Sequence, residues 1–280
     1  MQKRVLAIHD ISCFGRCSLT VALPIISAMG HECTILPNAI LSAHTGIPGF
    51  TFRYLTDEMR PIAEHWKKLD LRFDSVFTGF LCNKEQIDIT CDLIDHLRTK
   101  DTLVVVDPAM ADGGELYTVF GPEFPGYMRE LCSKADVIKP NITEACLMTG
   151  TEYVPGPYSE SWISDLLRKV AEIGARYVIL TGVYFDDEKI GAASCDCSTG
   201  RTTFHFQKTV PGCYVGTGDI FSSVLTGALL GGADLDTAVD MAVDFTSGAI
   251  RRTYEAGTDP LMGVNFEDGL PGLAGKLRKN

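Results

Sequence analysis

At 280 residues the chain is long enough to bury a large core, and its 45% hydrophobic and 22% charged fractions are those of an ordinary globular protein. Its formal net charge of −11 argues against a nucleic-acid-binding surface, which normally shows a basic stripe. No apolar run reaches the length of a membrane span, and the short run near Met1 is too brief for a signal-peptide core, so no membrane partner and a cytoplasmic location are expected.

In chain order, Arg4–His9 is a short apolar strand leading into the loop from His9 to Gly15. A helix then runs from Ser18 to its stop at Gly30, and a second strand lies near Cys33–Leu41. The polar, glycine-rich loop 42–49 follows, and Thr56–Leu69 reads as a helix capped by Thr56, with Pro61 tolerated near its first turn. Strands and helices then alternate. The strands are Asp74–Thr78, Thr102–Val106, Asp136–Lys139 and Tyr177–Leu180; the helices are Lys84–Arg98, Glu123–Lys134, Ile142–Thr149 and Ser161–Ile173. Continuously apolar strands such as 103–106 imply a largely parallel sheet covered on both faces. Ile190–Cys197 and Thr202–Gln207 alternate around 198–201 and form an antiparallel edge hairpin. Leu235–Tyr254 is a long helix, and Val264–Arg278 holds a last one. With no repeat or linker visible, residues 1–280 read as one domain.

Of the ten cysteines, Cys91, Cys132 and Cys146 fall in helical patterns as small core residues. Neither Cys13/Cys17 nor Cys195/Cys197 has Cys-x-x-Cys spacing, so no zinc site is expected.

The chain is organised around Val215-Gly216-Thr217-Gly218-Asp219, a glycine turn running into a helical pattern. Such a turn presents successive N–H groups in one direction, and the helix start adds partial positive charge, which suits a phosphate. Asp219 stands beside that anion hole, where a carboxylate would take the proton of an attacking hydroxyl. The plain alternative is an N-capping Asp after an ordinary turn. Against it, the polar residues of the chain fall repeatedly at strand ends, where open α/β sheets bind ligands: Asp10 and Ser12, His44 and Thr45, Phe80, Asp107 and Asp112, Lys139, Asn141 and Glu144, Thr181 and Gly182.

The run 107–113, then Lys139-Pro140-Asn141-Ile142-Thr143-Glu144, then Gly216-Thr217-Gly218-Asp219 resembles the ribokinase-like superfamily in order and spacing. Within it, Ser42-Ala43-His44-Thr45-Gly46 and the Phe14-Gly15 loop look like the pyridoxal (vitamin B6) kinases, over almost the whole chain. The resemblance implies a three-layer sandwich and a usual homodimer. It implies transfer of phosphate from ATP, with Mg²⁺, to the 5′-hydroxyl of pyridoxal, pyridoxine or pyridoxamine. By the same resemblance Asp219 is the base, and Gly216, Thr217 and Gly218 form the anion hole. Asp107, Asp112 and Glu144 gather around Mg²⁺ and the phosphates, directly or through water, with Asn141 supporting that shell. Thr181 and Gly182 lie along the nucleotide, Val210 and Tyr214 flank the adenine, Thr45 hydrogen-bonds the pyridine substrate and Phe80 stands against its ring.

Plain alternatives remain beside these roles. Asp107 is also a turn before Pro108, Glu144 a first-turn carboxylate, Phe80 a core residue, His44 a loop histidine with a local bond, and Lys139 a solvated strand-end lysine. Three positions depart from the resemblance. Asp10 stands where serine is usual, with Ser12 two residues on, and implies a shifted vitamer preference toward pyridoxamine. Lys139 replaces a threonine and would stand in for a monovalent cation. Val215 replaces the cysteine of a dual-activity group. Rival readings are a hydroxymethylpyrimidine or sugar kinase on the same fold, and a non-catalytic vitamer-binding protein.

Overall fold

The computed structural model describes residues 2–276. The chain opens with β1 (Arg4–Ser12), α1 (Leu19–Ala28), β2 (Glu32–Leu41), β3 (Phe52–Tyr54), α2 (Thr56–Lys68), β4 (Ser75–Thr78) and α3 (Lys84–Leu97). It continues through β5 (Leu103–Val106), the small hairpin β6 (Ala111–Asp112) and β7 (Glu115–Leu116), α4 (Phe124–Cys132), β8 (Val137–Ile138), α5 (Ile142–Thr149) and α6 (Glu160–Ala171). The last part holds β9 (Tyr177–Val183), β10 (Lys189–Asp196), β11 (Arg201–Lys208), α7 (Thr217–Leu230), α8 (Leu235–Glu255) and α9 (Leu270–Lys276).

The main sheet has nine strands in the order β11-β10-β9-β8-β5-β4-β1-β2-β3. Strands β2, β1, β4, β5, β8 and β9 run parallel, while β3 at one edge and the β10–β11 hairpin at the other are antiparallel. The apolar strands are explained by burial on both faces. In β5, Val104 and Val106 join a core with Ile94 of α3, Met128 of α4 and Ile163 of α6. Val105 points the other way, toward Ile25 of α1, Leu225 of α7 and Ala242 of α8. This is the expected α/β sandwich, and no helix among the described residues is long and apolar enough to cross a membrane.

Local chemistry sets the helix ends. Asn83, Ser159 and Asp234 cap α3, α6 and α8 with their side chains, and α5 has a capping box closed by left-handed Gly150. Thr56 is not a cap. Leu55 holds that position, and the Thr56 hydroxyl instead accepts a hydrogen bond from Gln86 Nε2 at 3.0 Å. β1 runs three residues beyond its expected end, with a register shift between His9 and Ile11. A bulge of this kind re-aims side chains, and here it turns Asp10 inward. Thr181 and Gly182 lie inside β9 rather than in a following loop. The last helix begins at Leu270, after a 3-10 turn at Glu267–Gly269, and residues 277–278 of its expected span lie outside the described residues.

The chain steps from β1 to β2 and β3 on one side, then crosses to β4 on β1's other side. That reversal opens a crevice at the carboxyl ends of β1 and β4. Gly79 ends β4 there, and a Cβ on it would stand 2.2 Å from the His9 ring, so only glycine leaves that ring its place.

Truncating fully buried Leu225 to Ala should destabilise the fold by about 2–5 kcal/mol. Leu23→Ala, at a position 39% exposed on α1, should stay within about 0.5 kcal/mol in the same urea titration.

Candidate active site

α7 begins at Gly216, in a left-handed conformation (φ 79°) and with no capping side chain. A Cβ there would meet the Arg16 carbonyl oxygen at 1.9 Å, so the turn needs glycine both for its backbone angle and for its packing. The first-turn N–H groups of Thr217, Gly218 and Asp219 are left to bind an anion. Gly218 has no side chain to cover them, and a Cβ on it would lie 3.5 Å from Lys139 Nζ.

That ammonium adds a full positive charge beside the open helix start. Lys139 is 3% exposed, not a solvated strand-end lysine, and its Nζ pairs with Asp107 Oδ2 at 2.7 Å. Ser222, one turn along α7 from Asp219, donates its hydroxyl to the same oxygen at 2.7 Å. Burial disfavours the ammonium, but the charges of Asp107, Glu144 and Asp219 win and hold the Lys139 pKa above its ordinary value.

Asp219 is not an N-cap. It is the third residue of α7, and its Oδ2 accepts the Ser18 N–H at 2.8 Å instead of one from its own helix. Burial first, then the charges of Asp107 and Asp10, push its pKa up to about 7 against the opposing effects of Ser18 and Lys139. The side chain keeps 18% exposure, so one face stays open to a reactant. His9 Nδ1 lies 3.9 Å from Asp219 Oδ1, and neither ring nitrogen of His9 has a hydrogen-bond partner among the described residues. Burial, then Lys139, lowers the His9 pKa to about 3, so Asp219 faces a neutral ring.

Each of the three carboxylates assigned to magnesium already accepts bonds from the chain itself. Glu144 Oε2 accepts the Asn141 N–H at 2.7 Å and Oε1 the Met110 N–H at 3.1 Å, the bonds of a capping box extended to β5's end. Asp107 is held by Lys139 and Ser222, and exposed Asp112 bonds its own turn at Gly113. Among the described residues no group of three acidic, His or Cys side chains is arranged to hold a metal. Burial and Asp107 raise the Glu144 pKa.

An apolar pocket has a lining that includes Thr45, Phe50, Phe52, Tyr54, Phe80 and Cys82. Phe80 serves both readings, packing on Phe120 with 5.4 Å between centroids while lining the pocket. His44 makes the local bond, accepting the Gly46 N–H at Nδ1, which leaves Nε2 to donate to the Leu261 carbonyl at 2.6 Å. Asp10, expected to meet the substrate ring, has its carboxylate braced by the chain itself. Its oxygens accept the hydroxyls of Ser12 (2.9 Å) and Ser18 (2.6 Å), and it is 3% exposed. Its charge still reaches Cys82 in the pocket and Asp219 at the base.

Of the nucleotide residues, Asn141 caps α5 and donates Nδ2 to the Ala111 carbonyl at 2.7 Å, tying the β6–β7 hairpin to the site. Thr181 bridges to Asn141, and Gly182 follows it with φ 78°. Val210 and Tyr214 flank the turn before α7, where Tyr214 donates its hydroxyl to Pro211 at 2.7 Å and so folds back on its own loop.

The model of the phosphomethylpyrimidine kinase family matches residues 60–263. The chain belongs to that family. A protein from Bacteroides thetaiotaomicron VPI-5482, assigned to the same family and crystallised with pyridoxal, is 40% identical with a TM-score of 0.93, over 98% of this chain and 96% of that one. Pyridoxal kinase from Lactobacillus plantarum is 30% identical with a TM-score of 0.91, over 99% and 98%. Pyridoxal kinase of Arabidopsis thaliana is 26% identical over 271 residues, 92% of this chain and 85% of the relative. The expected resemblance and phosphotransferase class both hold.

Within this kinase frame, sequence reasoning assigned no role to Ser18, His9, Ser222 or Gly79. A serine before a helix reads as a cap, and nothing local showed that Ser18 faces Asp219. A second constellation looks catalytic and is not. Ser194 Oγ lies 3.2 Å from His205 Nε2, and His205 Nδ1 lies 2.6 Å from Asp240 Oδ1. Ser194 is 1% exposed on β10, so no substrate reaches its hydroxyl, and the trio ties the edge hairpin to α8.

The raised pKa of Asp219 has a sign that stability measurements can check. The folded carboxyl keeps its proton up to about pH 7, whereas the unfolded one loses it near 3.8, so the stability this group contributes is present at low pH and lost through about pH 7. Relative to Asp219→Asn, the parent should therefore lose urea resistance between pH 5 and pH 8.

Proposed function

We propose that the chain phosphorylates the 5′-hydroxyl of a B6 vitamer, pyridoxal, pyridoxine or pyridoxamine, at the expense of ATP. The observation that carries the reading is the meeting of a largely enclosed carboxylate, Asp219, with an uncapped helix start and a buried ammonium, in a chain that also carries an apolar, aromatic-lined pocket. The pyridoxal found with the 40% identical Bacteroides protein supports the choice of ring.

The vitamer lies in the pocket, with Thr45 as its polar contact and Phe80 against the ring. Its hydroxyl gives its proton to Asp219 as the oxygen attacks the terminal phosphorus of ATP; the bond to ADP breaks and a phosphate ester forms. The N–H groups at 217 and 218 meet the charge on the transferred group, and Lys139 supplies a fixed positive charge behind them. This is the place a monovalent cation would take. The nucleotide lies along Asn141, Thr181, Gly182 and the turn bearing Val210 and Tyr214. Asp107 sets Lys139, and Glu144 sets the start of α5. Magnesium would be held mainly by the nucleotide's phosphates, with Asp112, Asp107 and Glu144 as the nearby carboxylates, and would neutralise phosphate charge; among the described residues no set of three side chains forms a cage for it. Homodimer formation and a cytoplasmic setting belong to the same proposal.

Hydroxymethylpyrimidine is the second reading, favoured by the family model itself. ADP release with Mg-ATP, measured against the three vitamers, hydroxymethylpyrimidine and ribose, separates the two. Turnover on a vitamer is the expected result; turnover on hydroxymethylpyrimidine or ribose alone moves the substrate. Vitamer binding without any turnover replaces the kinase reading with a binding protein. Since the base works deprotonated, kcat should rise with pH through about 7 and level off above it.

A further inference from the structure

Ser18 holds a backbone that L-residues rarely adopt, φ 53° with ψ −134°, and it does so at the first turn of α1 without capping that helix. Two bonds explain why the conformation persists. Its hydroxyl donates to Asp10 Oδ1 at 2.6 Å, and its N–H donates to Asp219 Oδ2 at 2.8 Å. Asp10 is itself braced by Ser12, whose hydroxyl donates to Oδ2 at 2.9 Å. Among the described residues no cation contacts this buried carboxylate, which makes it costly to keep, and its side-chain bonds go to Ser12 and Ser18. What it does hold is the twist of Ser18.

We propose that Ser18, clamped by Asp10, is the positioning residue of Asp219: its strained backbone fixes one carboxylate oxygen so that the other faces the attacking hydroxyl. This rests on the kinase reading, with Asp219 as base. It also gives Asp10 a role in holding the base rather than in choosing the vitamer.

The N–H of Ser18 favours the ionised base, so losing its aim makes Asp219 harder to deprotonate. The groups facing Asp219 are His9 and Asp10 from β1, Cys17 from the turn before α1, Asp107 from the end of β5, Tyr117 just after β7 and Lys139 from the end of β8. None of them is substituted in the test, and both Ser18 variants remove the same bond to Asp10, so the difference between the two variants does not come from Asp10.

Ser18→Ala keeps the hindered backbone and loses the clamp. Its kcat should fall on the order of ten-fold with KM for ATP and vitamer nearly unchanged, and the acid limb of kcat should move to higher pH. Ser18→Gly adopts the conformation without strain, so it should retain several-fold more activity than Ser18→Ala. A role in packing alone would not favour the smaller side chain. The substrate-free readout is the ¹³C titration of the Asp219 carboxyl, assigned by its loss in Asp219→Asn. Its midpoint should rise in Ser18→Ala and rise less in Ser18→Gly. Equal midpoints in all three proteins, or equal losses of kcat in the two variants, overturn the proposal. If Ser18→Ala does not fold, Ser18→Gly decides alone, because a midpoint equal to the parent's contradicts the clamp. A shifted midpoint with no vitamer turned over upholds the positioning and removes the kinase reading instead.

Discussion

The site depends on one buried ammonium. Lys139 sits at the carboxyl edge of the sheet with almost no access to water, paired with Asp107 and within the field of Glu144 and Asp219. Burying such a pair carries a desolvation penalty that attraction offsets only when the remaining valences are filled. Here they are: Ser222 fills Asp107, and two backbone N–H groups fill Glu144. What remains is a positive centre directly behind the open start of α7, where the helix's own partial charge adds to it. A phosphoryl group arriving there meets donors that need no rearrangement.

The carboxylates around that centre carry different loads because their surroundings differ. Asp107 is tied to the ammonium, whereas Glu144 serves the start of α5 and is pushed toward its neutral form. Asp219 keeps an open face and titrates near neutrality, which is what a base for an alcohol requires. Burial is the largest influence on both Glu144 and Asp219, so their separate roles come from the hydrogen bonds each accepts. The fold supplies the arrangement by bringing β1, β5, β8 and α7 to one edge, with Gly79 and Gly216 leaving room where any side chain would collide.

Much of this was legible in the sequence because it rests on local signals. The bounds of α5 follow from the Asn141-to-Glu144 spacing and from Gly150, and the Gly-Thr-Gly-Asp turn announces an anion site. Other features have no local signal. β3 is three exposed residues that pair only with the end of β2, and β6 and β7 are two residues each, so neither period nor composition reveals them. Lys139 and Asp107 lie on different strands, and only the sheet order shows that they touch. Thr56 reads as a cap from local sequence because the partner of its hydroxyl, Gln86, belongs to the next helix. Asp10 reads as a ligand for a substrate until Ser18 is seen to bend back onto it.

The central claim is that Asp219 removes the proton of an alcohol whose oxygen then takes the phosphoryl group. The most direct measurement is a single-turnover experiment with pyridoxal and Mg-ATP, followed by ³¹P NMR, on the parent and on Asp219→Asn shown to bind both ligands. The account predicts a phosphate ester on the vitamer's 5′-oxygen from the parent, and at least a hundred-fold slower formation in the variant, on the order expected for loss of a general base. Ester formation at the parent's rate in Asp219→Asn, or phosphate delivered to water instead of the vitamer, would contradict it.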